Sequence, residues 1–401
     1  MVHLIFKELK NHLIQEQGLL QSETDEALFF SKKKDLFIVC HVDDLCVTGK
    51  PDVVKRYRDA LYKKYSMTGS RIKEYFGLDV THSRSGRTVS VTCKTFLTQM
   101  MSKLGLLPKA WKCPMDPEHD LDVDVKEVDP VVQSRYRSLV GSIMHPSVTC
   151  RPDVSAAVTK LSMYLCRPGV KHVRAAERVL QYLHHTKSLG LKYSGIDSKG
   201  VSREPLSTFY GTCDASYNST KDCKGITGWA YHLGNAAVSW KCSKQKLTTL
   251  SSCEAELVAV DEAVRELRYL HKVLDDFGMQ TSVKPTLLAQ DNMGTIALVQ
   301  SRHFNARTKH LSLRYHHCGD QQRLGVVKVS YLKTTDMVAD ILTKPLQGDA
   351  FCKHRSVLLG DRELEWAPLA PGTAVAAGIE VLHYSEVVEA ETFFENLQLY
   401  C

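Results

Sequence analysis

Several familiar signals are missing from this 401-residue sequence. No run of about 18 apolar residues occurs, so no transmembrane helix is expected. The 13 cysteines have no regular spacing, which excludes a secreted disulfide scaffold and predicts a reducing compartment without disulfide-linked partners. No two of them stand in C-x2-C spacing, which argues against a structural zinc module. No glycine-rich phosphate loop, no G-x-S-x-G elbow and no internal repeat is present. Charge of one sign is scarce too: 52 Lys plus Arg against 45 Asp plus Glu leaves +7. Residues 1–15 lack the pattern of a signal peptide, and Leu4, Ile5, Leu9, Leu13 and Ile14 recur at helical spacing between Lys7, Glu8 and Lys10.

What is present is globular. Hydrophobic residues make up 43% and charged residues 24%, which excludes global disorder, and the length predicts two or three domains. The charge is uneven: residues 1–110 carry +6, 111–204 +3, 205–349 +3 and 350–401 −5. A basic body ahead of an acidic tail points to a polyanionic partner, with ordinary surface solvation as the alternative.

The chain divides by pattern. Residues 36–47 read as two apolar strands around Asp43–Asp44, a β-hairpin, and residues 52–64 as a helix. Residues 113–130 hold three prolines, five Asp and two Glu and read as a linker or exposed loop. Residues 131–187 are helical in pattern; near their end Val173, Ala176, Val179, Leu180 and Leu183 share one face, and Lys171, His172, Arg174, Arg178 and His185 decorate the polar face, which reads equally as a phosphate-contacting or a solvated face. From about residue 205 strands take over, at 208–215, 225–233 and 236–241. A helix follows, opened by the Ser251/Glu254 capping pair, striped by Leu257, Val260, Val264, Leu267, Leu270 and Leu274, and stopped by Gly278. Strands at 286–290 and 326–332 and helices at 308–317 and 336–344 complete a mixed α/β layout. Trp229, Tyr231 and Trp240 alternate on two strands and read as core or sheet-face residues.

Four acids in this second half lie in apolar surroundings: Asp214 and Asp291 at strand ends, and Glu256 and Asp340 in helices. Each alone reads as a solvated residue or a cap. Together they are the hard oxygen donors that two Mg²⁺ ions about 4 Å apart require. Spacing alone leaves both readings open.

The motifs resolve this by resemblance. SSCEAELVAVDEA (251–263), QDNMGTIAL (290–298), RTKHLSLRYHH (307–317) and VADILTKPL (338–346) closely resemble the ribonuclease H domain of copia-type (pseudoviral) retrotransposon Pol polyproteins. HVDDLCVTGK (41–50), EYFGLDVTHSRSGRTVSVTCKTFLTQM (74–100), YRSLVGSIMHPSVTCRPDVSAAVTKLS (136–162) and HVRAAERVLQYLHHT (172–186) resemble the later part of the same family's reverse transcriptase. The resemblance covers about residues 1–348, in the family's own order.

It implies an α/β chain: a partial reverse-transcriptase palm at 1–110, a connection or thumb region at 111–204, a ribonuclease H-like domain with a five-stranded mixed sheet at 205–349, and an unassigned acidic tail at 350–401. It implies a hydrolase that cleaves the RNA strand of RNA/DNA hybrids with two Mg²⁺ ions, Mn²⁺ being a substitute, held by Asp214, Glu256, Asp291 and Asp340. Glu256 rather than Glu254 is chosen because the family's acid stands immediately before the Leu-x-Ala step. The stretch Tyr331 to Asp340 holds no His of the kind that cellular ribonucleases H carry before their last Asp; His310, His316 and His317 lie in an earlier helix. Asp43 and Asp44 match the polymerase pair, but His41 stands where the family has Tyr. The polymerase's third Asp is expected upstream of the start of this chain, so polymerase activity is not expected of it. His310 and Arg314, with Lys171, Arg174 and Arg178, are the candidate nucleic-acid contacts. The implied partners are the hybrid and template-primer nucleic acid, and the implied location is a cytoplasmic retroelement particle or the nucleus. A polymerase fragment and a non-catalytic nucleic-acid-binding remnant are the alternatives.

Overall fold

The computed structural model describes residues 2–366 except 42–43, 68, 71, 84–86, 118–120, 122–126, 196–208, 280, 282–284 and 302–311. Within them the chain is mixed α/β with three sheets. None of the described helices is long and apolar enough to cross a membrane.

The first sheet is antiparallel, in the order β1 (Leu20–Gln21), β2 (Leu28–Phe30), β3 (Leu36–His41), β4 (Asp44–Gly49). Helices α1 (Val2–Asn11) and α2 (Pro51–Lys64) flank it in sequence, and Leu9, Leu13, Phe29, Ile38 and Leu61 share a small core. The expected hairpin is β3–β4, with His41 opposite Asp44. The second sheet joins β5 (Glu74–Tyr75), β6 (Leu78–Ser83) and β7 (Thr88–Thr92) to β8 (Leu191–Ser194), about a hundred residues later. Between β7 and β8 run α3 (Lys94–Lys103), α4 (Pro130–Thr149), α5 (Ser155–Ser162) and α6 (Val170–His185).

The third sheet holds the strands expected after residue 205. They are β9 (Tyr210–Ser216), β10 (Ile226–Leu233), β11 (Ala236–Lys244), β12 (Thr286–Gln290) and β13 (Val327–Tyr331), in the order β11-β10-β9-β12-β13. The first three are antiparallel, while β12 runs parallel to β9 and β13 parallel to β12. The central strands β9 and β10 are buried almost throughout, Thr212, Asp214, Thr227 and His232 included, while β11 becomes more exposed after Val238. Helix α7 (Ser252–Asp276) begins as the capping pair dictates: Ser251 accepts from the Glu254 N–H at 3.2 Å, and Glu254 reaches back to the Leu250 N–H at 2.6 Å. Its apolar stripe packs on β9 and β10, and Gly278 leaves it at φ +83°. α8 (Met293–Gln300), α9 (Ser312–Arg323), α10 (Asp340–Thr343) and α11 (Gly348–Leu358) complete the fold.

One apolar core runs through α3–α6 and the third sheet, and polar bonds stitch the same seam: Trp240 Nε1 donates to the Ser147 carbonyl at 2.8 Å, and Tyr193 Oη to the Ala237 carbonyl at 2.7 Å. Three expectations need correction. Residues 113–130 are not simply an exposed loop: Cys113, Met115 and Leu121 are buried, and the Leu121 carbonyl bonds His172 Nε2 at 2.7 Å. His172 therefore leaves the polar face of α6 and is fully buried, stacked on Tyr164. Residues 350–366 do not open a tail. Phe351, Val357 and Leu358 are buried, the Lys192 N–H donates to the Leu359 carbonyl at 2.8 Å, and Trp366 Nε1 donates to the Tyr331 carbonyl at 2.9 Å. The 367–379 and 380–400 segments lie outside the described residues.

Candidate active site

The site is built where two parallel strands end side by side. Ala289 of β12 pairs with Thr212 of β9, so Asp214 and Asp291, each two residues further on, leave the sheet together. Carboxyl ends of adjacent strands where the topology changes direction are where open α/β sheets form crevices. Glu256 arrives from the second turn of α7. One carboxylate oxygen from each of Asp214, Glu256 and Asp291 lies within 4.8 Å of the others.

Gly228 brings the fourth acid near. It pairs with Asp214 across β9–β10, and a Cβ there would stand 2.7 Å from Thr343 Cγ2 and 2.8 Å from Leu342 Cβ. Its bare backbone lets α10 lie on the sheet beside Asp214. The Thr343 hydroxyl then donates to Asp214 Oδ2. Asp340 stays outside the close trio. Its Oδ2 pairs with Lys344 at 2.9 Å, and its carboxyl lies against that of Asp214, within reach of a shared proton.

The electrostatics are those of an anion cluster short of cations. Burial, then the Asp214 charge, pushes the Glu256 carboxyl up to about 9, against a Gln290 hydrogen bond that works the other way. Burial is also the main cause that raises Asp214, opposed by the Thr343 bond and Lys344 and reinforced by Asp291. Burial and Asp214 push Asp340 up to about 7. At an effective dielectric near 20, two unit charges about 4.8 Å apart repel by roughly 3 kcal/mol. Lys344 is the cation at hand, and it sits on Asp340 at the margin.

The donor set tests what ion fits. Three carboxylates offer hard oxygens, and the nearby Cys213 thiol is buried and held well above its usual range, so no soft thiolate joins them. Such a set suits Mg²⁺ or Mn²⁺ rather than zinc. The Asp340 carboxyl provides a further oxygen at the margin, beside Asp214.

Sequence reasoning missed Gln290, Thr343 and Lys344. The Gln290 side chain is fully buried; its Nε2 donates to Glu256 Oε2 at 3.1 Å, and its Oε1 accepts the N–H groups of Asp291 and Asn292 at 2.7 and 2.8 Å. One amide thus orients one acid and the backbone of another. A glutamine closing a buried apolar strand immediately before an acid was the available signal.

The remaining candidates sit on separate elements. Asp44 is exposed on β4, and Asp43 and His310 lie outside the described residues. His41, also exposed, meets the edge of the Phe76 ring at 4.5 Å. Lys171 and Arg174 are exposed on α6, but Arg178 lies over the Trp111 ring at 4.3 Å. Arg314, Arg265 and His317 all hold Asp261, at 3.3, 3.1 and 2.9 Å. Asp261, His317 and Cys318 also lie close enough together for a metal, but the two guanidiniums already neutralise Asp261.

Comparison with known proteins agrees with the motifs. The Pol polyprotein of transposon RE2 from Arabidopsis thaliana is 30% identical over 353 residues, 86% of this chain and 23% of that protein. The Pol polyprotein of transposon TNT 1-94 from Nicotiana tabacum is 26% identical over 85% of this chain and 26% of that protein. The putative transposon Ty5-1 protein of Saccharomyces cerevisiae is 29% identical over 66% of this chain and 85% of that protein. The chain thus spans about a quarter of the length of the two plant polyproteins. No protein-family profile matches it. Among solved structures, RNase H1 from Halobacterium salinarum is similar at 14% identity and a TM-score of 0.26, covering 34% of this chain and 93% of that one.

Proposed function

From this kinship with the Pol polyproteins of copia-type transposons, we propose that the chain is a Pol segment whose third-sheet unit is a ribonuclease H-type endonuclease. Its substrate is the RNA strand of an RNA/DNA hybrid, selected by shape and 2′-hydroxyl contacts. The observation that carries this reading is the convergence of buried Asp214 and Glu256 with half-buried Asp291, none of them in an ion pair with Lys or Arg among the described residues.

In this reading Asp214, Glu256 and Asp291 hold the divalent ions, with Asp340 at the edge. The chemistry that two such ions supply when bound is activation of the attacking water and stabilisation of the leaving 3′-oxygen. The protein's own part is placement. Gln290 fixes Glu256 and the Asp291 backbone, and Thr343 fixes Asp214. Lys344 holds Asp340 and sets one positive charge beside the place where phosphate charge gathers. The products are 5′-phosphate and 3′-hydroxyl ends.

We assign residues 1–110 to a partial polymerase palm, 111–204 to a connection or thumb region and 205–349 to the nuclease, working in a cytoplasmic retroelement particle or the nucleus. Polymerisation is the second reading, favoured by the β3–β4 hairpin that presents Asp44. Among the described residues no carboxylate cluster includes Asp44, so primer extension is expected to give nothing. The test of the nuclease is a labelled RNA/DNA hybrid with Mg²⁺. Cleavage is expected from the unaltered chain, and Asp291→Asn is expected to lose about a thousandfold in rate, roughly 4 kcal/mol of barrier. Absence of metal-dependent cleavage by the unaltered chain would falsify the reading.

A further inference from the structure

A cavity of about 640 Å³ lies between the helical region and the third sheet. That is within the roughly 300–1,000 Å³ of ordinary ligand sites. One wall is α5, with Lys160; the other is the β11 edge, with Lys244, and the β9–β10 loop, with Lys221 and Asp222. Thr343 and Lys344 also line it. These same two residues hold Asp214 and Asp340, so the cavity and the carboxylate site share a wall.

The charge of this cavity is one-sided. Four lysines face one acid, Asp222, which is occupied by Lys244 at 2.5 Å. Lys344 is occupied by Asp340. Lys160 is half-buried and has no ion-pair partner among the described residues. An ammonium group without a counter-charge, facing a cavity, is a contact open to an anionic ligand. Regularly spaced phosphates beside a phosphodiester-cleaving site are such a ligand, and lysine contacts to them position a strand without reading its sequence.

We infer that this cavity seats the nucleotide next to the scissile phosphate, with Lys160 and Lys221 binding its backbone. The helical region would then belong to the substrate site rather than merely support it. The inference rests on the nuclease reading for the identity of its ligand.

The test measures binding apart from cleavage: anisotropy of a fluorescent RNA/DNA hybrid with the full chain in Ca²⁺ without Mg²⁺, over a range of salt. The Lys160→Ala/Lys221→Ala double variant is expected to bind about tenfold or more weakly. Its slope of log affinity against log salt should fall by about one per lysine. Lys160→Arg should keep the affinity of the unaltered chain. Lys328→Ala, on the opposite edge strand β13, should change neither quantity. Unchanged affinity and slope in the double variant overturn this inference and leave the nuclease reading standing. Lysine-dependent binding without cleavage in Mg²⁺ supports the cavity and sinks the nuclease. No hybrid binding by the unaltered chain overturns both.

Discussion

Asp153 and Glu256 are both buried acids, and their surroundings drive them in opposite directions. Burial alone would raise Asp153, but Arg151 makes two bonds to it, each of 2.8 Å, and Tyr182 Oη a third of 2.7 Å, which together hold it below the usual carboxylate range. Arg151 is itself fully buried and also donates to the Thr186 carbonyl and hydroxyl. That knot ties the turn after α4 to α6 and is complete in charge and hydrogen bonds. Around Glu256 the counter-charge is lacking, and the carboxyl goes up to about 9. A buried acid with its cation built in serves the fold. In the proposed reading, a set of clustered acids without one is held in place by the fold for an ion from outside.

The comparison can be broken most severely at its complete half. Arg151→Met leaves Asp153 buried and unpaired, and about 3–5 kcal/mol of stability should vanish in urea unfolding. Replacing both partners with apolar residues of similar volume should recover much of that loss; a double variant no better than the single one would show that the knot is not a charge pair in balance.

A pH series sharpens the contrast. For Asp153 the folded state favours the charged form, so its contribution is present above the ordinary Asp range and is lost as pH falls through it. For Glu256 the folded state favours the neutral form, so its contribution is whole below about 4.5 and is lost as pH rises to about 9. Metal-free protein should therefore lose on the order of a few kcal/mol between pH 5 and pH 9, about 1.4 kcal/mol per unit at most. Added Mg²⁺ should raise the unfolding midpoint more at pH 9 than at pH 5. An equal rise at both values contradicts the description of the trio.

A smaller effect is expected one layer out. Gln290→Leu removes the donor to Glu256 and orphans the Asp291 and Asn292 N–H groups. The Mg²⁺ concentration needed for half-maximal cleavage should rise about 10- to 100-fold, with much of the rate restored at saturation. A loss of rate that Mg²⁺ does not restore would put Gln290 in the chemistry rather than behind it.

The readable and unreadable parts of the sequence divide along similar lines. The strands of the third sheet are legible because apolar, aromatic and β-branched residues crowd them between polar or glycine-containing turns, and α7 because Ser251, Glu254 and Gly278 mark its ends in local chemistry. Convergence of the three acids was implied by family motifs and not by spacing, since strand register and helix packing are non-local. Gly228 shows the limit: its role is to clear space for α10, whose residues lie over a hundred positions away. The packing of α11 was hidden by averaging. The −5 of residues 350–401 comes from acids at position 361 and beyond, while the stretch before them carries Lys353 and Arg355 and no acid. His172 was misread because a polar side chain on α6 gave no sign that the Leu121 carbonyl waits for it inside.

In the proposed reading, Asp214, Glu256 and Asp291 are a cation site that the fold leaves open. Calorimetric titration of the metal-free chain with Mn²⁺ and Mg²⁺ at pH 8, beside Asp291→Asn, tests this without requiring turnover. The prediction is saturable binding by the unaltered chain and at least tenfold weaker binding by the variant. Equal affinity in the two proteins, or no binding by the unaltered one, would contradict it.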